Sequence, residues 1–344
     1  MKRTRPRLIL LLTVISWIGG LSIGLSQSDH TEKLLQAAKK EAKLVFYTTM
    51  AIDNLRPVVD GFTRRYPFIN VEFVRLSQTP LVIRLQMEVR AGKWLFDVAN
   101  MNGIDILSSK NLLSPYVSPE AEFYLREYKD DKSLWSPLHV YHYVMVHNTK
   151  MVPREQGPKD YGDLLDPGWR GKMILHSGAY AWHGTLTKIW GSEKAGSYFK
   201  NLARQEIQWR GSFGFIARMI AAGEAPLGVA FPFRVEQMKQ QGAPLEWVKT
   251  FSPTVADISG IGLSAKPMHP NAARLFMDFV LSKTGQEMIV AQGRVSARKD
   301  VKPFSPELNA AKLRNVQVVP AEVNINIDRY AREFRDAFGL TSGP

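Results

Sequence analysis

The chain has 344 residues, with 45 Lys and Arg against 32 Asp and Glu, a formal charge of +13 and no cysteine. This length exceeds one comfortable core, and the cysteine count excludes disulfides, thiolate metal sites and a lipidated N-terminal cysteine. The basic residues are scattered, with no run of five and no nucleic-acid motif, so the charge reads as a solvated face that steers an anion and not as a nucleic-acid interface.

Lys2, Arg3, Arg5 and Arg7 precede an apolar run from Leu8 to Ile18 and then Gly19, Gly20, Ser22 and Gly24. That is the pattern of a secretory signal peptide, with cleavage expected near Gly24 or Ser26. Thr13, Ser16 and the glycines break the run short of the ~20 apolar residues that a membrane span needs. Loss of the leader lowers the charge to +9. The mature chain is expected to be periplasmic and soluble, without a lipid anchor.

From Thr31 helix-period and strand-like runs alternate. Thr31 to Ala42 reads as a helix, Leu44 to Thr48 as a buried strand, and Asn54 as the cap of a second helix with Pro57 in its first turn and Pro67 beyond its end. Val71 to Leu76 is a strand, Thr79-Pro80 opens a helix that Gly92 ends, and Phe96 to Asn100 is a third strand. Strand, helix, strand, helix, strand implies a parallel sheet covered by helices. Tyr141 to Asn148 is a long aromatic strand, after which the alternation restarts. Lys172 to His176 and Leu227 to Ala230 read as strands, Glu193 to Arg204 and Ile216 to Ala222 as helices. Leu245 to Val248 and Ile258 to Ser264 then lead to a helix from Asn271 to Leu281. The fold expected is α/β and two-lobed, each lobe a helix-covered, mainly parallel sheet. Residues 1–26 form the leader, 27–138 with 257–303 lobe 1, and 139–256 with 304–344 lobe 2.

Ligands of open parallel sheets sit beyond the carboxyl ends of the strands, where helix N-termini offer free N–H groups. This points to Thr48, Thr49, Gln78, Asn102, Ser177, Gly178, Ala179 and the run from Phe231 to Arg234. No metal spacing occurs, since His139 and His142, three apart on a strand, face opposite ways. No cofactor fingerprint is present either. Ser197 to Lys200 matches Ser-x-x-Lys and Lys283 to Gly285 matches Lys-Thr-Gly, the words of an exported serine hydrolase. That chemistry also needs a Ser-x-Asn or Tyr-x-Asn between them, and Asn201 to Ser282 holds neither. A binding protein, not an enzyme, is expected.

Short words spread over nearly the whole mature chain resemble the type II periplasmic solute-binding proteins of ABC importers, in their ferric-iron-binding and 2-aminoethylphosphonate-binding branch. They include Lys43 to Tyr47, Leu112 to Tyr116, Asp163 to Lys172, Gly223 to Phe233, His269 to Ala273 and Ala297 to Asp300. The resemblance implies two lobes joined by paired crossover strands, a ligand clamped between them, delivery to a membrane permease, and a monomer. A ligand-presenting module for a membrane sensor would share those lobes. In ferric-binding relatives a histidine, a glutamate and a tyrosine pair ligate the metal. The matching positions here hold Ala51, Asn102, Pro232 and Phe233, none an anionic oxygen donor of the kind ferric ion prefers.

The anion turn of the same relatives is matched by Ser177-Gly178-Ala179. A small organic carboxylate or phosphonate is therefore expected, held by that turn and by Thr48-Thr49, its body against Phe213, Phe231 and Phe233. Arg234 reads as an anion partner or a solvated surface arginine, and Asp257 as an ammonium partner or a residue that shapes the hinge.

Overall fold

The computed structural model describes residues 32–153, 155–310, 313 and 315–341. The leader read at 1–26 lies outside them. Helix α1 (32–41) is followed by β1 (Lys43–Thr48), α2 (Ile52–Arg65), β2 (Asn70–Arg75), α3 (Gln78–Arg90), β3 (Val98–Asn102), α4 (Asp105–Ser109) and β4 (Leu113–Ser114). Then come β5 (Ser136–Asn148), β6 (Met173–His176), α5 (Tyr180–Trp190), α6 (Ser192–Ala203), β7 (Gln208–Arg210), α7 (Phe213–Ala222), β8 (Leu227–Ala230), α8 (Pro232–Gln240) and β9 (Leu245–Trp247). The chain finishes with β10 (Thr254–Ser264), α9 (Pro270–Leu281), α10 (Lys283–Ala291), β11 (Val316–Val318), α11 (Ala321–Ile325) and α12 (Ile327–Phe338).

The strands run in the order β2-β1-β3-β10-β5-β8-β6-β7. β1 lies parallel between β2 and β3, and β6 lies parallel between β7 and β8. The two parallel groups are joined by β5 and β10, which pair antiparallel from Val255↔Tyr143 to Ile261↔Ser136. Both strands are longer than the sequence pattern indicates. Leu138 to Val140 and Val255 to Ile258 are buried as continuous runs, so no alternation with polar residues marks where these strands begin.

Packing separates into cores that follow the sheet. One cluster gathers side chains from 34 to 140 with others from 256 to 310, including Phe46, Phe62, Phe96 and Phe276. The far side splits by strand parity. Tyr143, Met145, Leu175 and Val229 face α5, α6 and α12 with Trp182, Phe199 and Phe334, whereas Val144, Val146, Ile174 and Ala230 face α7 and α8. The last helices return across the seam: α11 packs on both α4 and α5, and Asn324 donates to Asp105 Oδ2 at 2.8 Å.

One local expectation is corrected. Asn54 does not cap α2, which starts at Ile52 after Ala51; its Oδ1 accepts from Arg294 instead. Lys283-Thr284-Gly285 is the first turn of α10, capped by Ser282, and Ser197 to Lys200 lies inside α6.

Burial holds two rings neutral. It pushes His142, beside the Tyr128 hydroxyl, down to about 3, and His183 down to about 4. Since the unfolded chain binds these protons near pH 6.5 and the folded chain does not, the stability they contribute is present above that pH and lost as pH falls below it. Thermal melts should show up to about 2 kcal/mol per ring lost by pH 5, and His142→Gln with His183→Gln should flatten that limb. An unchanged acid limb in the double variant would assign it to other groups.

Candidate functional site

The crossover pair presents one face to the seam. His139, Tyr141 and Tyr143 alternate along β5, Asp257 lies opposite Tyr141 and Ser259 opposite His139, and Asn102 of β3 is opposite Ser259. Gly223 ends α7 in the left-handed region (φ +82°), which turns the chain back into β8 and delivers Phe231 and Phe233 to this face. Their rings stack at 5.8 Å and 15°. Phe231 also meets Phe213 at 4.4 Å, Tyr141 at 4.8 Å and Tyr143 at 5.6 Å, and Phe213 stacks on His176 at 4.1 Å. The three phenylalanines read from the sequence thus form one wall, joined by Tyr141, Tyr143 and His176.

Two arginines border this wall and the charge of a third acts on one of them. Arg294 follows Gly293, whose φ of +80° and contact with the Gln237 side chain leave no room for a Cβ. Its Nη2 donates to Asn54 Oδ1 at 2.7 Å and its Nη1 to the Tyr141 hydroxyl at 3.3 Å, with the guanidinium 4.7 Å from the Phe233 ring centre. Arg234 of α8 lies over the other part of that environment, 5.4 Å from Phe233, and donates to Gln237. Arg218 of α7 lies over Phe215. Among the described residues none of the three forms an ion pair. Burial, then the charges of Arg294 and Arg218, hold the Arg234 guanidinium below its usual range.

Asp257 is only 7% exposed. Its Oδ2 receives two long hydrogen bonds, from Asn102 at 3.4 Å and from the Tyr143 hydroxyl at 3.5 Å, and its buried Oδ1 has no partner. Burial pushes its carboxyl up to about 7, against a smaller opposing effect from Asn102.

Other expected site residues sit differently. Thr48 is fully buried and donates to Asn100 Oδ1 at 2.9 Å while accepting from the Met50 N–H, so its hydroxyl locks the β1 end and does not face the seam. Thr49 is half-buried with its N–H on Asn100. Gln78 is exposed and donates to the Asn102 carbonyl. The Ser177-Gly178-Ala179 turn is occupied internally: the Ser177 N–H and hydroxyl bond the Arg210 carbonyl, the Gly178 N–H the His176 ring, and the Ala179 N–H the His176 carbonyl. Phe233 is 4% exposed and packs into the first lobe's core, so it is less an open wall than a plug. Alternation of Tyr141 and Tyr143 on an aromatic strand was a usable sequence signal for those two. Arg294 sits in a loop after α10 and has no local signal at all.

A surface cavity of about 590 Å³ lies away from the seam, between Met151, Pro158, Trp169 and Lys172. It holds none of the residues above.

Two cores joined by shared strands, with aromatic and unpaired charged groups at the seam, define a two-lobed solute binder. The profile of the bacterial extracellular solute-binding proteins matches residues 98–317, and the chain belongs to that family. The Fe(3+)-binding periplasmic protein of Serratia marcescens is 25% identical over 309 residues, 83% of this chain and 90% of the relative. An uncharacterized protein of Haemophilus influenzae is 33% identical over 141 residues, which are 40% of this chain and 41% of that protein. Among solved structures, iron-bound HitA from Pseudomonas aeruginosa superposes with a TM-score of 0.75 at 19% identity, covering 86% of this chain and 99% of HitA. AfuA from Actinobacillus pleuropneumoniae with fructose-6-phosphate bound gives 0.71 at 23%, covering 87% and 99%. The fold is that of the type II periplasmic binding proteins.

The wall and the charges should separate by mutation. Phe231→Ala removes ring contacts from a half-buried site and should cost about 2 kcal/mol in denaturant unfolding, whereas Arg234→Ala should stay within about 0.5 kcal/mol because it also relieves repulsion. Equal losses would mean that Arg234 is held by more than its neighbours here.

Proposed function

We propose that the protein is the exported substrate-binding subunit of an ABC importer, capturing a small organic anion of the carboxylate or phosphonate type between its lobes for delivery to a membrane permease. One observation carries this reading: among the described residues, Arg294 from the first lobe and Arg234 from the second border one aromatic wall without a carboxylate partner, and the charge of Arg218 acts on Arg234. An anion placed among them neutralises charges on both lobes together. It therefore binds the closed arrangement better than the open one, and that difference is the driving force for closure. Phe213 and Phe231, both half-buried, offer apolar surface to the ligand body. The protein acts by binding and release, with no reaction at the site.

The name of the Serratia relative favours a second reading, ferric iron carried with a synergistic anion. Among the described residues no three His, Asp or Glu side chains gather as a metal site. The arginines crowd the same seam, and a trivalent cation beside them is repelled.

Thermal-shift titrations with inorganic phosphate, methylphosphonate, acetate and ferric citrate test the choice, since a ligand of the native state raises its stability with concentration. At least one phosphate, phosphonate or carboxylate probe should stabilise saturably. Arg294→Ala should weaken it by at least about tenfold, the value of one charge-assisted hydrogen bond. Stabilisation by ferric citrate well beyond that given by citrate alone, and kept in Arg294→Ala, would replace this reading with the second.

A further inference from the structure

We propose that closing the lobes takes up a proton at Asp257, so that capture in the cleft is coupled to pH and Asp257 is a positioning group of the seam. The inference rests on reading the seam as the place where the lobes open and close. Asp257 stands on β10 where that strand crosses between lobes. Its surroundings come from both of them: Asn102 and Asp105 from the first, and Tyr143 from the second-lobe end of β5.

Among the described residues the carboxyl forms no salt bridge. The charged or titratable side chains that act on it are Asp105 of α4, a like charge, and Tyr141 and Tyr143 of β5; Asn102 of β3 and the nearby Ile258 backbone weakly favour the charged form. Arg294 and Arg234 act on Tyr141. The two bonds to Oδ2 are near the limit of hydrogen-bond length, and Oδ1 is enclosed with none. An ionised carboxylate enclosed in this way is expensive, and the neutral acid is the form the closed seam favours. Opening the lobes lets water reach Oδ1 and returns the group toward the ordinary aspartate value of about 3.9.

The sign follows from proton counting. Between the open-state value and about 7, the closed state holds a proton that the open state has lost, so closure is favoured as pH falls and loses this contribution as pH rises to about 7. His139 and His142, on the same crossover strand, are pushed down by burial and oppose this trend if opening wets them. A variant comparison is therefore needed to isolate Asp257.

The chain has no native cysteine, so spin labels at Lys110→Cys and Lys194→Cys, both exposed and on different lobes, report the interlobe distance without interference. In ligand-free protein the closed-to-open ratio should fall by roughly fiftyfold between pH 5 and pH 7.5, and Asp257→Asn, a near-isosteric neutral side chain, should show no such slope. Carbon NMR of the Asp257 carboxyl in the unlabelled protein gives a second measure that needs no destabilising change. Equal slopes in the two proteins, or a carboxyl that titrates in the ordinary aspartate range, overturn the proposal. Adding inorganic phosphate separates the two readings: a distance that follows pH through Asp257 but ignores phosphate and methylphosphonate retires the anion reading and leaves this one standing.

Discussion

The antiparallel pairing of β5 with β10 is the constraint on which the rest depends. Each strand serves both lobes, so its two-residue period decides which side chains meet at the seam. A slip of one residue would exchange Tyr141, Tyr143 and Asp257 for Val140, His142 and Ala256 and erase the site while leaving the lobes intact. The register is fixed where the chain can least afford change. The pairing shifts between Ser259 and Gly260, and a Cβ on Gly260 would collide with Ile104, while one on Gly262 would meet Leu113 and the Leu134 carbonyl. Backbone closeness at these two glycines holds the ribbon against the first lobe's core, and the seam face follows from that.

Charge along the seam is segregated. Arginines without acid partners lie at the Phe233 end, an acid without a base lies at the Asn102 end, and Tyr141 feels both, its hydroxyl drawn down by Arg294 and raised by Asp257 and burial. Folding alone would favour pairing these groups. At an effective dielectric of about 20, opposite charges 4 Å apart attract by about 4 kcal/mol before desolvation, so leaving them apart forgoes an interaction large on the scale of protein stability. Three other buried charges are paired. Arg298 meets Glu120 and Asp300, Asp97 takes the His269 ring and two backbone N–H groups, and Glu236 is bonded by Trp247, Lys239 and Ser305. Charges left apart at the seam while other buried charges are paired suggest a place shaped by something besides stability.

Much of the fold was legible because it is local. Gly92 and Gly223 end helices in the left-handed region, Pro67 follows the end of α2, and Leu227 to Ala230 is a strand with the bounds its composition indicates. Phe213, Phe231 and Phe233, named together through the family resemblance, lie ring against ring in the fold. What failed was availability. Nothing in the words Thr48-Thr49 or Ser177-Gly178-Ala179 reveals that Asn100, Arg210 and His176 consume their polar groups, since those partners arrive through sheet neighbours 33 to 52 residues away or through a ring two positions back. Arg294 was illegible for the same reason in reverse. Its meaning comes from Asn54, Tyr141 and Phe233, residues 240, 153 and 61 positions distant, brought together only by the tertiary fold.

Phe233 couples the packing of the two lobes to the charge at the seam. The ring is buried in the first lobe's core although its helix belongs to the second, and burying a phenylalanine contributes about 2–3 kcal/mol. Two polar ties reinforce the contact: Ser305 to Glu236, and Gln237 to the Gln292 carbonyl at 3.1 Å. A phenol here would carry a hydroxyl that demands a partner or a metal; the phenyl ring demands neither, and it docks. The docked ring in turn supports Arg294 from below, holding the guanidinium between Asn54 and Tyr141. A ring with no oxygen donor of its own thus serves as the platform for a cation, so the packing that docks α8 on the first lobe's core also places the Arg294 guanidinium at the seam.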